Sequence, residues 1–257
     1  MKSRTILCAL VLLFVGLMTL PVQSLDIEKG LVAYWAFNEN AGDTASDSTG
    51  NGHDGTLMGD PQWTEDGKYG GAIEFDQAAD EVNIPFHKDL NQEAFTICAW
   101  ANVEPGSAGH RAVISSRHEP PTGGYIIYAE PVNTWQFWTG NGDPAWVSVQ
   151  GPAVNLGDWD HVAGVYADGK QMFYVNGELA GEKDSNPNFN AEQEFLIGAG
   201  ANERAAHEYL FKGRIDEVRL YNRVLDEDEI AAVMGSEALA VEASGKIAVT
   251  WGQLKVK

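Results

Sequence analysis

Residues Asp158–Gly181 read DWDHVAGVYADGKQMFYVNGELAG. Two dipeptides punctuate the stretch, Asp168-Gly169 and Asn176-Gly177. Such pairs readily supply positive φ at both central positions of a two-residue hairpin turn. His161–Ala167 and Gln171–Val175 flank the first turn, and their Val, Tyr and Phe suit a pleated, packed surface. Glu178–Ala180 begins a third strand. Three antiparallel strands in succession form a meander whose apolar faces require a partner layer. The stretch therefore predicts the middle of a β-sandwich.

Reading outward, Ala94–Val103 (AFTICAWANV) is a buried strand. Phe95, Ile97, Ala99 and Ala101 share one face, and Thr96, Cys98 and Trp100 share the other. Leu31–Phe37, Gly70–Phe75, Glu81–Ile84, Ala112–Ser115 and Tyr125–Tyr128 have strand character. So do Trp135–Trp138, Trp146–Val149, Glu194–Ile197 and Tyr209–Tyr221. About a dozen short strands at this spacing indicate a sandwich or barrel. One helix is predicted near the end. Asp226 is its N-cap, Glu229 completes a capping box, and Ile230, Val233 and Met234 follow at helical spacing before Gly235. The expected fold is all-β, an antiparallel two-sheet β-sandwich (jelly roll) with one short C-terminal helix, over residues 25–235.

The ends differ in composition. Residues 1–24 carry Lys2 and Arg4, the apolar run Ile6–Leu20, Pro21, and then Val22-Gln23-Ser24. This is the pattern of an export signal cleaved before Leu25. The run is shorter than the ~20 residues that span a bilayer; an uncleaved anchor is the alternative. The protein is expected to be secreted or held at the cell surface, with no membrane span after cleavage. Residues 236–257 form a tail, read as a linker with a short strand around Ile247–Trp251.

Charge excludes some partners. The chain has 37 acidic and 17 basic residues, a net charge of −20. Binding to nucleic-acid backbone needs the opposite sign, as does binding to an anionic membrane. An acidic surface attracts cations in general, and simple solvation explains the same numbers. Of two cysteines, Cys8 lies in the export segment and Cys98 is left unpaired in an apolar run, where it reads as a small buried hydrophobe.

A binding surface is sought in Asn133–Trp146, which holds three of the eight tryptophans. Trp135 and Phe137 point one way, and Gln136 and Trp138 the other, so one set is core. Sugar recognition requires exposed aromatic faces beside polar groups. The candidates are Trp135, Trp138 and Trp146, joined by Arg117 and His118 from the rim loop Arg117–Gly123. Core packing explains the same tryptophans. Catalytic constellations are not evident. His53, His87, His110, His118, His161 and His207 are scattered, without zinc-like spacing. His161 reads as a hydrogen-bonded core residue, and no Gly-x-Ser-x-Gly elbow occurs.

The ordered series YWAFNENAG, DSTGNGHDG, GGAIEFDQAADEVNI, FTICAW, DWDHVAGVYADGKQMFYVNGEL and FKGRIDEVRLYNRVLDEDEI resembles the laminin-G-like domain of bacterial secreted proteins. That family lies within the concanavalin A-like lectin and glucanase jelly rolls. The resemblance covers residues 28–235 and implies two stacked antiparallel sheets, but no single activity. Some relatives bind calcium through loop oxygens. By resemblance, the loop Asn38–Gly55 and the motif Ile215-Asp216-Glu217 match, which makes Glu39, Asp47, Asn51 and Asp216 the expected ligands of a structural calcium ion, with Asp43 and Asp54 behind them. The competing reading is a loop held by side chain-to-backbone hydrogen bonds. Glycosidases of this fold place two glutamates around an aspartate on one strand. Glu74-Phe75-Asp76 begins that pattern, but Ala78 or Ala79 stands where the second glutamate belongs. The expectation is a non-catalytic module that recognises an extracellular carbohydrate or protein. The alternatives are an adhesion module without glycan binding and, less favoured by the residues, a glycoside hydrolase.

Overall fold

The computed structural model describes residues 26–142, 145–200 and 209–235. The export-signal and tail readings lie outside those residues. In chain order the first strands are β1 (Leu31–Trp35), β2 (Thr44–Ala45), β3 (Gly55–Met58), β4 (Gln62–Thr64), β5 (Ala72–Asp76), β6 (Glu81–Ile84), β7 (Phe95–Val103) and β8 (Arg111–His118). The others are β9 (Gly123–Ala129), β10 (Thr134–Gly140), β11 (Trp146–Ala153), β12 (Trp159–Ala167), β13 (Lys170–Val175), β14 (Glu178–Asp184), β15 (Phe195–Ile197) and β16 (Lys212–Tyr221). The helix α1 is Glu227–Met234.

Two antiparallel sheets result. The first runs β14-β13-β12-β7-β16-β5-β4, with β1 also paired to β16. The second runs β11-β10-β9-β8-β15-β6-β3-β2. The meander folds as its turns dictate. Asp168 and Gly169 have φ of 50° and 81°, and Asn176 and Gly177 have 53° and 81°. Both turns therefore have the doubly positive geometry that follows strand twist. The third strand, β14, extends to Asp184, beyond the three residues expected. β5 and β6, adjacent in sequence, belong to opposite sheets.

Alternation fills the space between the sheets. Phe95, Ile97, Ala99, Ala101 and Val103 of β7 meet Trp135 and Phe137 of β10 in the main core. Gly164 of β12 leaves room there, since a Cβ at that position would lie 2.6 Å from Phe137 Cε2. The outer face of the first sheet is covered too. Leu225, Ile230 and Val233, from α1 and the segment before it, pack on Cys98, Ala163, Val165 and Tyr221. All nine residues of β7 are buried as a result. Asp226 caps α1 through the expected reciprocal bonds with Glu229. Cys98 is free and buried, and burial pushes its thiol up to about 12, so it stays an inert hydrophobe.

A polar cluster lies on this covered face. β16 bulges between Asp216 and Arg219, with Glu217 at φ 55°. The bulge places the Glu217 carboxylate against the Tyr34 hydroxyl at 2.8 Å and the Arg219 guanidinium at 2.5 Å. Arg219 also sits over the Tyr34 ring, 4.3 Å from its centroid. His161 lies nearby against Trp100, at 5.3 Å between ring centroids. It is a core histidine as expected, but neither ring nitrogen has a hydrogen-bond partner.

Burial, with Arg219 and Lys68 adding, lowers the His161 pKa from 6.5 to about 3. Below pH 6.5 the unfolded chain therefore binds a proton that the folded chain refuses. The contribution is complete above pH 6.5 and is lost as pH falls towards 3. His161→Leu should thus gain stability relative to the parent as pH drops from 6.5 to 4. Urea unfolding of the two proteins across that range checks this, and parallel stability curves would refute it.

Candidate functional site

The second sheet keeps an outer face that no helix of the described residues covers. Register defines its members. Trp138 stands opposite Ile126 on β9 and Ser148 on β11, and Gln136 stands opposite Tyr128 and Gln150. Gly140 pairs with Trp146, and Arg117 of β8 pairs with Gly124. Side chains of one face alternate along each strand, so Tyr128, Trp138, Trp146 and Arg117 all emerge on the same side. Tyr209 joins them, its backbone carbonyl accepting the Ala112 N–H at 2.8 Å.

These groups form a tier. Tyr128 stacks with Trp138 at 6.0 Å and with Tyr209 at 6.1 Å, both at an interplanar angle of 27°. His110 meets Tyr128 edge-on at 4.9 Å. The Arg117 guanidinium lies 5.4 Å from the Trp146 ring centroid and 5.5 Å from that of Tyr209, within cation–π range. It also pairs with Glu119. Trp138, Trp146 and Tyr209 are half-buried, so parts of their rings face solvent. Burial first, then Tyr209 and Glu130, raise the Tyr128 phenol, with Arg117 opposing. Its hydroxyl therefore stays protonated and able to donate. The Trp138 indole N–H donates to Gln136 Oε1, which fixes the ring.

The five candidate ligand residues separate. Trp138, Trp146 and Arg117 come together on this face. Trp135 does not: it is fully buried in the core, its indole N–H donating to Asp160 Oδ2 at 2.8 Å. The parity of β10 sends it inward beside Phe137, so its ring has no face for a ligand. His118 ends β8 and pairs with Glu192 at 2.9 Å, at the rim. Tyr128, Tyr209 and Gln136 were missed. Tyr128 follows from Trp138 once register is known, but Tyr209 carries no local signal.

The candidate calcium ligands separate as well. Asp47 Oδ1 accepts the backbone N–H groups of Tyr34 (3.2 Å) and Thr49 (3.0 Å) and the Thr49 hydroxyl (2.7 Å), while Oδ2 accepts the His53 N–H at 3.1 Å. Asp54 accepts the Asp47 N–H at 2.7 Å, and the Asn51 amide donates to the Val32 carbonyl at 2.8 Å. Asp47 and Asn51 thus fasten the loop, Asp47 through both carboxylate oxygens and Asn51 through its amide nitrogen. Glu39 and Asp216 each use one oxygen, for the N–H groups of Ser46 (2.7 Å) and Tyr69 (2.9 Å). Their other oxygens are buried without hydrogen-bond partners. Burial lifts the Asp216 carboxyl to about 8, Glu217 adding to the effect and backbone N–H groups opposing it. Among the described residues, no three of these carboxylates gather within 4.8 Å.

The incomplete glycosidase pattern lies on an ordinary strand, β5, paired on both sides. Glu74 is exposed on β5 opposite Gln62 and Arg214, and Asp76 Oδ1 accepts the Ala78 N–H at 2.7 Å in the following turn.

Two stacked antiparallel sheets, one of them presenting an aromatic outer face, define a lectin-type jelly roll. A family model described as the concanavalin A-like lectin/glucanases superfamily, of the Laminin_G_3 type, matches residues 76–231, and the chain belongs to that family. Among solved structures, the binding domain of Paraclostridial Mosquitocidal Protein 1 superposes with a TM-score of 0.66 at 14% identity, over 80% of this chain and 52% of that one. Domain 4 of AbnA, a GH43 extracellular arabinanase from Geobacillus stearothermophilus, in complex with arabinotriose, gives 0.62 at 21%, over 79% of this chain and 97% of that one. Trypanosoma rangeli sialidase gives 0.61 at 17%, over 79% and 32%. The chain thus spans about half the length of the mosquitocidal binding domain and a third of the sialidase. At these identities the likeness is one of fold. Comparison with curated proteins gives no match.

The two tryptophans of β10 should respond differently to truncation. Trp135→Ala is expected to cost about 3–5 kcal/mol in urea unfolding, as for other buried aromatics. Trp138→Ala should cost distinctly less. Equal losses would place both side chains in the core.

Proposed function

We propose that this protein is an extracellular, non-catalytic binding module that takes a neutral glycan on the outer face of its second sheet. The observation that carries the reading is the tier in which Trp138, Trp146 and Tyr209 keep part of their rings in solvent, backed by the buried Tyr128 and Arg117. Aromatic faces cover the apolar faces of sugar rings, while the exposed Gln150 and the Tyr209 hydroxyl supply hydrogen bonds. A net charge of −20 opposes polyanions, which favours an uncharged chain. The arabinotriose complex of an arabinanase domain with the same fold lends support. Location outside the cell is supported by the pattern of residues 1–24 alone. No helix of the described residues is long and apolar enough to cross a membrane.

Affinity electrophoresis on a panel of neutral polysaccharides tests the proposal. At least one should retard the protein, and Trp138→Ala and Trp146→Ala should each weaken retention about tenfold, a loss of ~1.4 kcal/mol. Retention that ignores both changes would remove this face from the reading, and binding to proteins alone would favour the adhesion alternative. Release of reducing ends that disappears in Glu74→Gln would overturn the non-catalytic reading.

Calcium belongs to the proposal in a reduced form. Its support is the pair of unpartnered buried oxygens, Glu39 Oε2 and Asp216 Oδ1. An ion bound only by the folded state stabilises it by mass action. Added calcium should raise the thermal midpoint of chelator-stripped protein, and Glu39→Gln or Asp216→Asn should reduce that rise. An unmoved midpoint would eliminate the ion.

A further inference from the structure

Histidines 34 residues apart in the chain meet at one edge of the sandwich. His53 ends the polar loop before β3, and His87 lies just beyond β6, at the start of the single 3-10 turn Lys88–Leu90. Their rings stand 4.9 Å apart between centroids. Asp89 completes the group. One ligand atom from each of His53, His87 and Asp89 lies within 4.8 Å of the other two, and among the described residues no other three histidine, cysteine or acidic side chains do this.

We propose that His53, His87 and Asp89 form a zinc site. Two imidazoles and one carboxylate are a donor set suited to zinc, whereas calcium and magnesium prefer oxygen alone. The spacing also suits the smaller ion. His87 Nδ1 and Asp89 Oδ2 are 3.5 Å apart. Two ligands of a tetrahedral zinc, each at 2.0–2.1 Å, stand about 3.4 Å apart. Those two side chains are near half exposed and free to adjust, while His53 is buried and held. Its N–H is fixed by Asp47 Oδ2 at 3.1 Å, and its carbonyl accepts the Trp35 indole N–H at 2.9 Å. The long 3.3 Å contact from the Asp89 N–H to His87 Nδ1 is the bond that the metal replaces. Asp47 and Asp54 add negative charge around His53.

The fourth position is left to water or to a partner group. Bound zinc ties the N-terminal loop to the turn after β6. That turn already holds the second sheet, because the Leu90 carbonyl accepts the Tyr125 hydroxyl at 3.0 Å and Asn91 Oδ1 accepts the Ser116 hydroxyl at 2.7 Å. The site is distinct from the calcium candidates Glu39 and Asp216, and from the aromatic face.

The test uses untagged full-length protein stripped with chelator. Zinc is titrated against a chromophoric competitor, and thermal midpoints are read with zinc, calcium or magnesium. One equivalent of zinc should bind and raise the midpoint, and neither calcium nor magnesium should compete for it. His87→Ala and Asp89→Asn should each weaken zinc binding by at least about tenfold, the loss usual for outer-shell partners alone. Because His87 Nδ1 also accepts the Asp89 N–H at the start of this turn, metal-free unfolding of each variant is read alongside its zinc affinity, and His118→Ala should bind as the parent does. Absence of zinc binding, or binding indifferent to His87→Ala and Asp89→Asn, overturns the site.

Discussion

The two sheets share one core but not one degree of cover. β7 is buried on both faces, because α1 and the chain before β1 close the outer side of its sheet. Among the described residues, the second sheet has its apolar partner on the inside only. A helix needs somewhere to bury Leu225, Ile230 and Val233, and the first sheet offers Cys98, Ala163, Val165 and Tyr221. That choice leaves the other outer face free to carry side chains for a different purpose. Large aromatic groups on such a face lose contact with water in part even without a ligand. Here they do so by leaning on each other, as Tyr128 does between Trp138 and Tyr209. For the glycan proposed above, such stacking leaves less ordering to impose.

The motif Ile215-Asp216-Glu217, matched to a calcium loop by resemblance, has a structural task in β16. Its bulge turns two successive carboxylates, Asp216 and Glu217, into buried positions. Glu217 is balanced by Arg219 and by the Tyr34 hydroxyl. Asp216 has no such cation: burial lifts its carboxyl to about 8, and the backbone N–H groups only partly oppose this. Removing one member of the first group would leave a charge stranded, which costs more than the pair itself contributes. Tyr34 belongs to β1, so the same group fixes where the first strand joins the central one.

What the sequence disclosed was local. Asp168-Gly169 and Asn176-Gly177 determine their hairpins because positive φ is a property of two residues. The alternation of β7 and the capping box of α1 need windows of ten residues or fewer. The outward face of β10 was narrowed to two choices, and only the burial of the partner layer decides between Trp135 and Trp138. The rest of the aromatic tier depends on strand register and on Tyr209, a residue 71 positions beyond Trp138. The histidines illustrate the same limit. Spacing along the chain separates His53 from His87, yet β3 and β6 are neighbours in the second sheet, and their pairing brings the two rings together.

Charge places a further condition on any ligand. Among the described residues Arg117 is the cation at the aromatic face, and Glu119 engages it. An anionic sugar would have to displace that carboxylate while approaching a chain of net charge −20. An uncharged ring stacked on Trp138 or Trp146 faces neither penalty, and it leaves the guanidinium in its place between Trp146 and Tyr209. The arginine's flat group lies within cation–π reach of both rings.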